Sequence, residues 1–160
     1  MPSSSLAVMS AIKAAGGTIE SVRFRSDKEL REILDAVLKE IDRDPDAGPR
    51  LRAAAAPLRF DFPDLKLSLN VFAADRPGCL KWNFSQRSKP KAKLQLSMDS
   101  TFANRLLQGR ENPAIAIARG RLETTVEDAG AALKFFPAVK PLFSRYRAVI
   151  AEKYPHLTID

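Results

Sequence analysis

Residues 65–98 read LKLSLNVFAADRPGCLKWNFSQRSKPKAKLQLSM and carry the clearest structural signal in the chain. Apolar and polar side chains alternate in three segments of this stretch, a period typical of strands with one buried and one wet face. Turn residues 75–78 separate the first two segments, and the polar residues 86–90 precede the third. The pattern predicts an antiparallel meander whose wet face carries lysines. Its buried face is predicted to contain Leu65, Leu67, Leu69, Val71, Leu80, Trp82, Phe84, Leu94, Leu96 and Met98.

Helical patterns precede these strands. The run Ser26-Asp27-Lys28-Glu29 matches a capping box, and apolar residues then recur at helical spacing on one face. This predicts an amphipathic helix over residues 27–43, which the turn residues 44–49 end. The alanine-rich residues 50–56 predict a second, short helix.

Further helical patterns follow the strands. Asp99 and the next two residues can cap a helix that runs to about Leu107, and Gly109 is placed to end it. A short strand is predicted over residues 120–126. The remaining patterns predict helices over 127–136 and from about 139 to 153. We therefore assign one α+β domain whose helices lie on one face of an antiparallel sheet.

Composition limits the class of protein. The chain has 160 residues, of which 45% are hydrophobic and 28% are charged, and this suits one folded domain. No window reaches the roughly 18 uninterrupted apolar residues that a membrane span needs. Cys79 is the only cysteine, so an intramolecular disulfide is excluded. We expect a cytoplasmic location, because a lone thiol suits a reducing compartment and the C-terminus is not a peroxisomal signal.

The formal net charge of +7 makes this a basic protein, and part of the excess lies in one short stretch. Such a patch attracts the phosphates of nucleic acids or of anionic lipid headgroups, and it also fits a simple solvated sheet face. Charge alone does not choose among these three interpretations. The stretch contains Lys81, Arg87, Lys89, Lys91 and Lys93.

Residues for catalysis are sparse. The sole histidine, His156, lies near the C-terminus, and Cys79 lies at a turn with no histidine near it in the sequence. The chain lacks a nucleophile elbow, a phosphate loop and a dinucleotide fingerprint, and one Cys with one His is too few for a zinc site. The acid pairs 61/64 and 127/128 fit helix capping and loop roles. The sequence therefore predicts no enzyme, no cofactor and no metal.

Residues 99–122, DSTFANRLLQGRENPAIAIARGRL, resemble the signature stretch of sterol carrier protein domains. That family shows an acidic cap, an apolar helix ending in Gly-Lys-x-Asn-Pro, an apolar run and then Gly-Lys-Leu-x-Ile. Arg110 and Arg121 replace the lysines, and Val126 stands where the family often has glycine. Residues 130–134, GAALK, resemble a further family segment, so the resemblance covers about 26–136. The positions in step are Gly109, Asn112, Pro113, Gly120 and Leu122.

The resemblance implies a five-stranded, mainly antiparallel sheet with helices on one face and an apolar cavity between the two layers. It also implies non-enzymatic binding and transfer of a sterol, fatty acid, acyl-coenzyme A or isoprenoid. Periodicity alone favours a solid core, whereas the resemblance favours the cavity. The predicted ligand-binding residues are Trp82, Phe84, Met98, Phe102, Leu106, Ile115, Ile117, Phe135, Phe136, Leu142, Phe143 and Tyr146.

The predicted organisation has three parts: an N-terminal extension (1–25), the lipid-binding domain (26–136), and a C-terminal helix (137–160) that packs on the same domain as a candidate gate. The basic stretch is then expected to make transient contact with anionic membranes. Similar bacterial factors in ubiquinone synthesis suggest an alternative, an accessory lipid-binding role with biosynthetic enzymes as partners.

Two other classes of function remain. A nucleic-acid-binding module would use the basic face, but the predicted strands place Trp82 and Phe84 on the opposite face, away from the lysines. An enzyme of a sterol or acyl pathway is the weakest alternative, because the usual catalytic residues are missing.

Overall fold

The computed structural model describes residues 22–55, 57–77, 79–87, 92, 94–126, 137 and 140–159. The predicted helix over 127–136 and the extension up to residue 21 lie outside these ranges. None of the helices in the described ranges is long and apolar enough to cross a membrane. The helices are α1 (Asp27–Arg43), α2 (Ala47–Ala55), α3 (Ser100–Leu107), α4 (Pro113–Ala118) and α5 (Lys140–Lys153), and the strands are β1 (Leu58–Phe62), β2 (Leu67–Ala73), β3 (Leu80–Asn83), β4 (Leu94–Ser97) and β5 (Glu123–Val126).

Helix α1 begins and ends at the predicted residues. The Ser26 hydroxyl accepts a hydrogen bond from the Glu29 amide at 3.3 Å, while the Glu29 carboxylate accepts from the Arg25 amide at 2.9 Å. These bonds satisfy amides that a helix N-terminus otherwise leaves unpaired. The predicted apolar stripe is buried against the sheet side of the molecule, and it contains Leu30, Ile33, Leu34, Val37, Leu38 and Ile41.

The sheet has five strands in the order β3-β2-β1-β4-β5. It is mainly antiparallel as expected, with one parallel pair between β1 and β4. The predicted meander of three consecutive strands is wrong, because β4 does not pair with β3. Strand β1, which the sequence analysis did not predict, lies between β2 and β4. Its residues alternate as Leu-Arg-Phe-Asp-Phe, so it buries an apolar face like its neighbours.

The register places apolar and polar residues on opposite faces of the sheet. Phe60 pairs with Leu69 and with Leu96, and all three point toward the helices. Arg59 pairs with Asn70 and Gln95 on the outer face. The first predicted strand starts two residues late, at Leu67, because residues 63–65 form a 3₁₀ turn and Lys66 has a φ of 52°.

The segment between α3 and β5 is a compact turn around the short helix α4. The predicted cap Asp99 accepts from the Phe102 amide at 2.8 Å, and Gly109 ends α3 with a φ of 79°, as predicted. The apolar run after Asn112 forms α4, and the predicted strand after Gly120 begins only at Glu123.

Candidate functional site

An apolar cavity lies between the helix-facing side of the sheet and the helices. Its walls come from the helices α1, α2 and α3, the strands β1, β2 and β4, the residue before β5 and the first turn of α5, so every layer of the fold contributes. All lining side chains that belong to the described residues are apolar. They are Leu34, Leu38, Leu51, Leu58, Phe60, Phe62, Leu69, Val71, Leu96, Met98, Ala103, Leu106, Leu107, Leu122, Leu142 and Phe143.

The cavity volume is about 30 Å³. This equals the share of one water molecule in the liquid, whereas ligand pockets measure about 300–1,000 Å³. The side chains that line the cavity therefore nearly fill it in this conformation. A lipid can enter only if some of them move outward.

Four of the twelve predicted ligand-binding residues line this cavity: Met98, Leu106, Leu142 and Phe143. Phe102 and Tyr146 are fully buried beside it, and Ile117 is partly buried against the same core. Ile115 is exposed on α4, with 51% of its surface accessible. Phe135 and Phe136 lie outside the described residues.

Trp82 and Phe84 connect the β3 edge of the sheet to α1. The Trp82 indole Nε1 donates to Asp35 Oδ1 at 2.9 Å, and the Arg31 guanidinium lies 5.3 Å from the centre of the Phe84 ring. Both aromatic rings are partly buried against the core. They lie on the helix-facing side, as the strand pattern predicted, but they do not line the cavity.

Asp35 makes the stability of this junction depend on pH. Burial tends to raise its pKa, but hydrogen bonds from Lys39 and Trp82 outweigh burial, and the pKa lies below its ordinary value of 3.8. A carboxylate with a lowered folded-state pKa stabilises the fold above pH 3.8, and this contribution is lost as the pH falls through that value and below. We expect Asp35→Asn to reduce stability at about pH 7 and to have a much smaller effect at about pH 3. Urea unfolding at both pH values measures this, and an equal effect at both would contradict it.

Tyr146 is part of a buried polar network that fixes the end of the chain. Its hydroxyl donates to Asn104 Oδ1 at 2.7 Å, and burial raises its pKa above the ordinary value. Asn104 Nδ2 and Gln108 Nε2 donate to the Leu157 carbonyl at 3.0 and 2.8 Å. The Ile159 amide donates in turn to Gln108 Oε1 at 3.1 Å. The network therefore ties α3, α5 and the C-terminal turn together.

The sequence model of the SCP-2 sterol transfer family matches residues 34–140, which is more than half of the chain. The chain belongs to this family. No curated protein sequence matches this SCP-2 chain.

Solved structures support the same fold for the SCP-2 chain. Sterol carrier protein 2 is 17% identical, with 72% of this chain and 94% of that chain covered and a TM-score of 0.53. TT1886 from Thermus thermophilus, described as possibly a sterol carrier protein, is 16% identical, with coverage of 74% and 86% and a TM-score of 0.52. A double mutant of the sec-alkylsulfatase PisA1 is 17% identical over 65% of this chain, with a TM-score of 0.52. The SCP-2 chain spans 16% of that sulfatase structure.

The acidic residues near β1 have structural partners in the SCP-2 chain. Asp64 accepts from the Ser100 amide at 2.8 Å and from its hydroxyl at 2.6 Å, which holds the start of α3. Asp61 pairs with Arg59.

His156 Nε2 lies 2.9 Å from Glu29 Oε2, so the sole histidine pairs with the first turn of α1. Within the described ranges, no group of three or more His, Cys, Asp or Glu side chains is arranged to hold a metal.

The outer face of the sheet holds a partly buried ion pair between Arg59 and Asp61 that the sequence analysis missed. Arg59 Nε donates to Asp61 Oδ1 at 3.0 Å, and its terminal nitrogens donate to Asn70 Oδ1 at 2.9 Å and to Ser68 Oγ at 3.0 Å. Gln95 Nε2 also donates to Asp61, at 2.6 Å. These groups satisfy one another, so the network is structural. The alternation in Leu58–Phe62 was the available signal, since it puts Arg59 and Asp61 on one face.

The predicted membrane-contacting residues are only partly described. Lys81 is exposed on the outer face of β3 with its Nζ 6.0 Å from the centre of the Phe72 ring, and Arg87 is exposed in the loop that follows. Lys89, Lys91 and Lys93 lie outside the described residues. An aromatic ring, Phe72, therefore does accompany the basic face, although Trp82 and Phe84 do not.

Proposed function

We propose that this SCP-2 chain binds one apolar lipid between the sheet and the helices and transfers it without catalysis. The apolar lining that the described residues give the cavity, in the fold of this family, carries the proposal. A sterol, a fatty acid, an acyl-coenzyme A or an isoprenoid would each bury mainly hydrocarbon here. The lining residues within the described ranges offer no polar group to discriminate between them, so specificity is expected to be loose.

Binding requires the cavity to expand. A lipid that buries about 400 Å² of apolar surface gains about 10 kcal/mol at ~25 cal/mol per Å². Association costs about 4–15 kcal/mol, and moving the packed side chains adds to this cost. We therefore expect moderate affinity, which suits a carrier that must also release its ligand.

The candidate gate is the first part of α5. Leu142 and Phe143 lie in its first turn and line the cavity, whereas Tyr146 in the next turn is fixed by Asn104. Arg145 also fixes the helix, through an ion pair with Asp44 at 2.9 Å. Outward movement of Leu142 and Phe143 would open the cavity while the rest of α5 stays attached.

The direct test is titration of the delipidated chain with a fluorescent fatty acid, followed by displacement with unlabelled lipids. Saturable and displaceable binding is expected. Absence of saturable binding would refute the proposed function.

A pair of variants tests where the lipid binds. Leu142→Ala enlarges the cavity and is expected to lower stability by about 2–5 kcal/mol while raising affinity for the fatty acid. Ile150→Ala is the matched control, because Ile150 is buried on the same helix but does not line the cavity. It should lose similar stability without gaining affinity. Equal affinities in the two variants would place the ligand elsewhere.

The proposal also includes attraction to membranes, through the exposed Lys81 and Arg87. They supply positive charge on the outer face of the sheet, which would draw the chain to anionic membranes during exchange.

A further inference from the structure

Ile115 is the one large apolar side chain that is exposed in the described part of the chain, with 51% of its surface accessible. Ala114 and Ala118 of the same helix are also exposed. Ala118 follows Ala114 by four positions and Ile115 by three, so the three residues share one face of α4. The opposite face packs inward through Ala116, which is buried. Helix α4 therefore presents a small apolar tip to the outside.

The tip is held by its own hydrogen bonds. Asn112 Oδ1 accepts from the amides of Ala114 and Ile115 at 2.9 and 3.2 Å, which closes the start of the helix. At the other end, the amides of Arg121 and Leu122 donate to the Ala116 carbonyl at 2.9 and 3.3 Å. Exposure of Ile115 is thus fixed by the docking of α4, and is not the result of a fraying terminus.

Basic residues flank the tip in the chain. Arg110, Arg119 and Arg121 are exposed on the turns at the two ends of α4, and Arg110 also donates to the Ile159 carbonyl at 3.3 Å. Residues 105–123 contain four arginines and two glutamates. One of these acids, Glu111, is already held by Arg105 at 2.7 Å and lies 3.8 Å from Arg121. The segment that carries Ile115 therefore has an excess of positive charge.

We propose that this α4 tip docks on anionic lipid bilayers, with Ile115 entering the interface and the arginines meeting the headgroups. An exposed apolar side chain between turns that carry exposed arginines complements a surface that carries negative charge outside and hydrocarbon beneath. A protein partner would instead need an apolar pocket with an acidic rim. The bilayer is the occupant that the shape and the charge together favour.

The position of the tip connects docking to transfer. Leu122, which follows α4 and is hydrogen-bonded to it, lines the apolar cavity. Arg121 lies 4.6 Å from the centre of the buried Phe102 ring. A bilayer that contacts α4 would lie beside the cavity wall. Only this connection rests on the proposed function, since docking itself needs no bound ligand.

Sedimentation with vesicles tests the docking. We expect the chain to bind phosphatidylcholine vesicles that contain phosphatidylglycerol, and to bind pure phosphatidylcholine vesicles much more weakly. Arg110→Gln with Arg119→Gln should weaken binding about 25-fold, because each basic residue near an anionic surface contributes roughly fivefold. Ile115→Ser should weaken it about fivefold, since a half-exposed isoleucine has about half of its transfer free energy left to gain.

A matched pair controls for general attraction. Arg43→Gln with Arg76→Gln removes the same charge from exposed sites at the β3 end of the molecule, where Lys81 and Arg87 supply only general attraction, and it should weaken binding clearly less than the arginine pair beside α4 does. Circular dichroism of every variant checks folding. Ile115→Trp supplies an independent signal, a blue shift of the added tryptophan's emission with anionic vesicles.

Three results would overturn the inference: equal losses in the two arginine pairs, an unshifted Ile115→Trp emission in bound protein, or no binding to anionic vesicles at all. The last result would favour an acidic protein surface as the occupant. Fatty-acid titration of the same variants is expected to be unchanged. Failure of docking is therefore distinguishable from failure of lipid binding.

Discussion

Arg59→Met is expected to lower the free energy of unfolding by about 3–5 kcal/mol. The substitution removes the guanidinium group and leaves Asp61 ionised, with Ser68 and Gln95 as its remaining donors. It also takes the Arg59 donor away from Asn70 Oδ1. A partly buried carboxylate that has lost its cation costs more than the net contribution of the intact pair. Urea denaturation followed by circular dichroism measures the loss.

The double variant Arg59→Met with Asp61→Leu is the control. Removal of both charges takes away the uncompensated carboxylate, so much of the lost stability should return. If the double variant is as unstable as Arg59→Met alone, the cost lies in packing and not in the unpaired charge.

Asn104→Ala is expected to lower the free energy of unfolding by about 2–4 kcal/mol. Asn104 accepts from the Tyr146 hydroxyl and from Gln108, and donates to the Leu157 carbonyl, so its loss leaves buried polar groups without partners. Each such group costs about 1–3 kcal/mol. The C-terminal turn should also detach more often, which faster proteolysis after Lys153 would reveal.

Tyr146→Phe provides the graded comparison. It removes one hydroxyl but leaves Asn104 bonded to Gln108 and Leu157, so the expected loss is about 1 kcal/mol. A larger loss for Tyr146→Phe than for Asn104→Ala would show that the network is not organised around the asparagine.

Features of the fold that depend on neighbouring residues were predictable. The capping box at Ser26 fixes the start of α1, and Asp99 with Gly109 fixes both ends of α3, because each acts within a few residues of its helix. The inward side chains of β2 and β4 followed from alternation alone.

Features that depend on distant pairing were not predictable in this way. Strand β1 is short and contains an arginine and an aspartate, two residue types that are common in loops. Only their pairing with Asn70, Ser68 and Gln95 of the neighbouring strands identifies the segment as a strand. The meander failed for the same reason, since nothing local to β3 and β4 indicates that two other strands separate them.

The cavity, too, has features that neighbouring residues determine and features that depend on distant contacts. Sequence reasoning found Met98, Leu106, Leu142 and Phe143, which line the cavity because their helix and strand faces point inward. The volume of the cavity depends on how all the layers pack together, and no pattern encodes it. Ile115 belongs to the same apolar run as Ile117, and only the docking of α4 on Ala116 determines which of the two faces outward.

The parallel pairing of β1 with β4 has a consequence for biosynthesis. When the chain has emerged from the ribosome only as far as Asn83, strands β1, β2 and β3 can pair with one another. Strand β1 still lacks β4, its second neighbour in the sheet. Its backbone amides and carbonyls remain an open template until Leu94–Ser97 emerges. Nascent chains stalled between these two points should be especially prone to intermolecular strand pairing, and their need for chaperones should end once β4 is available.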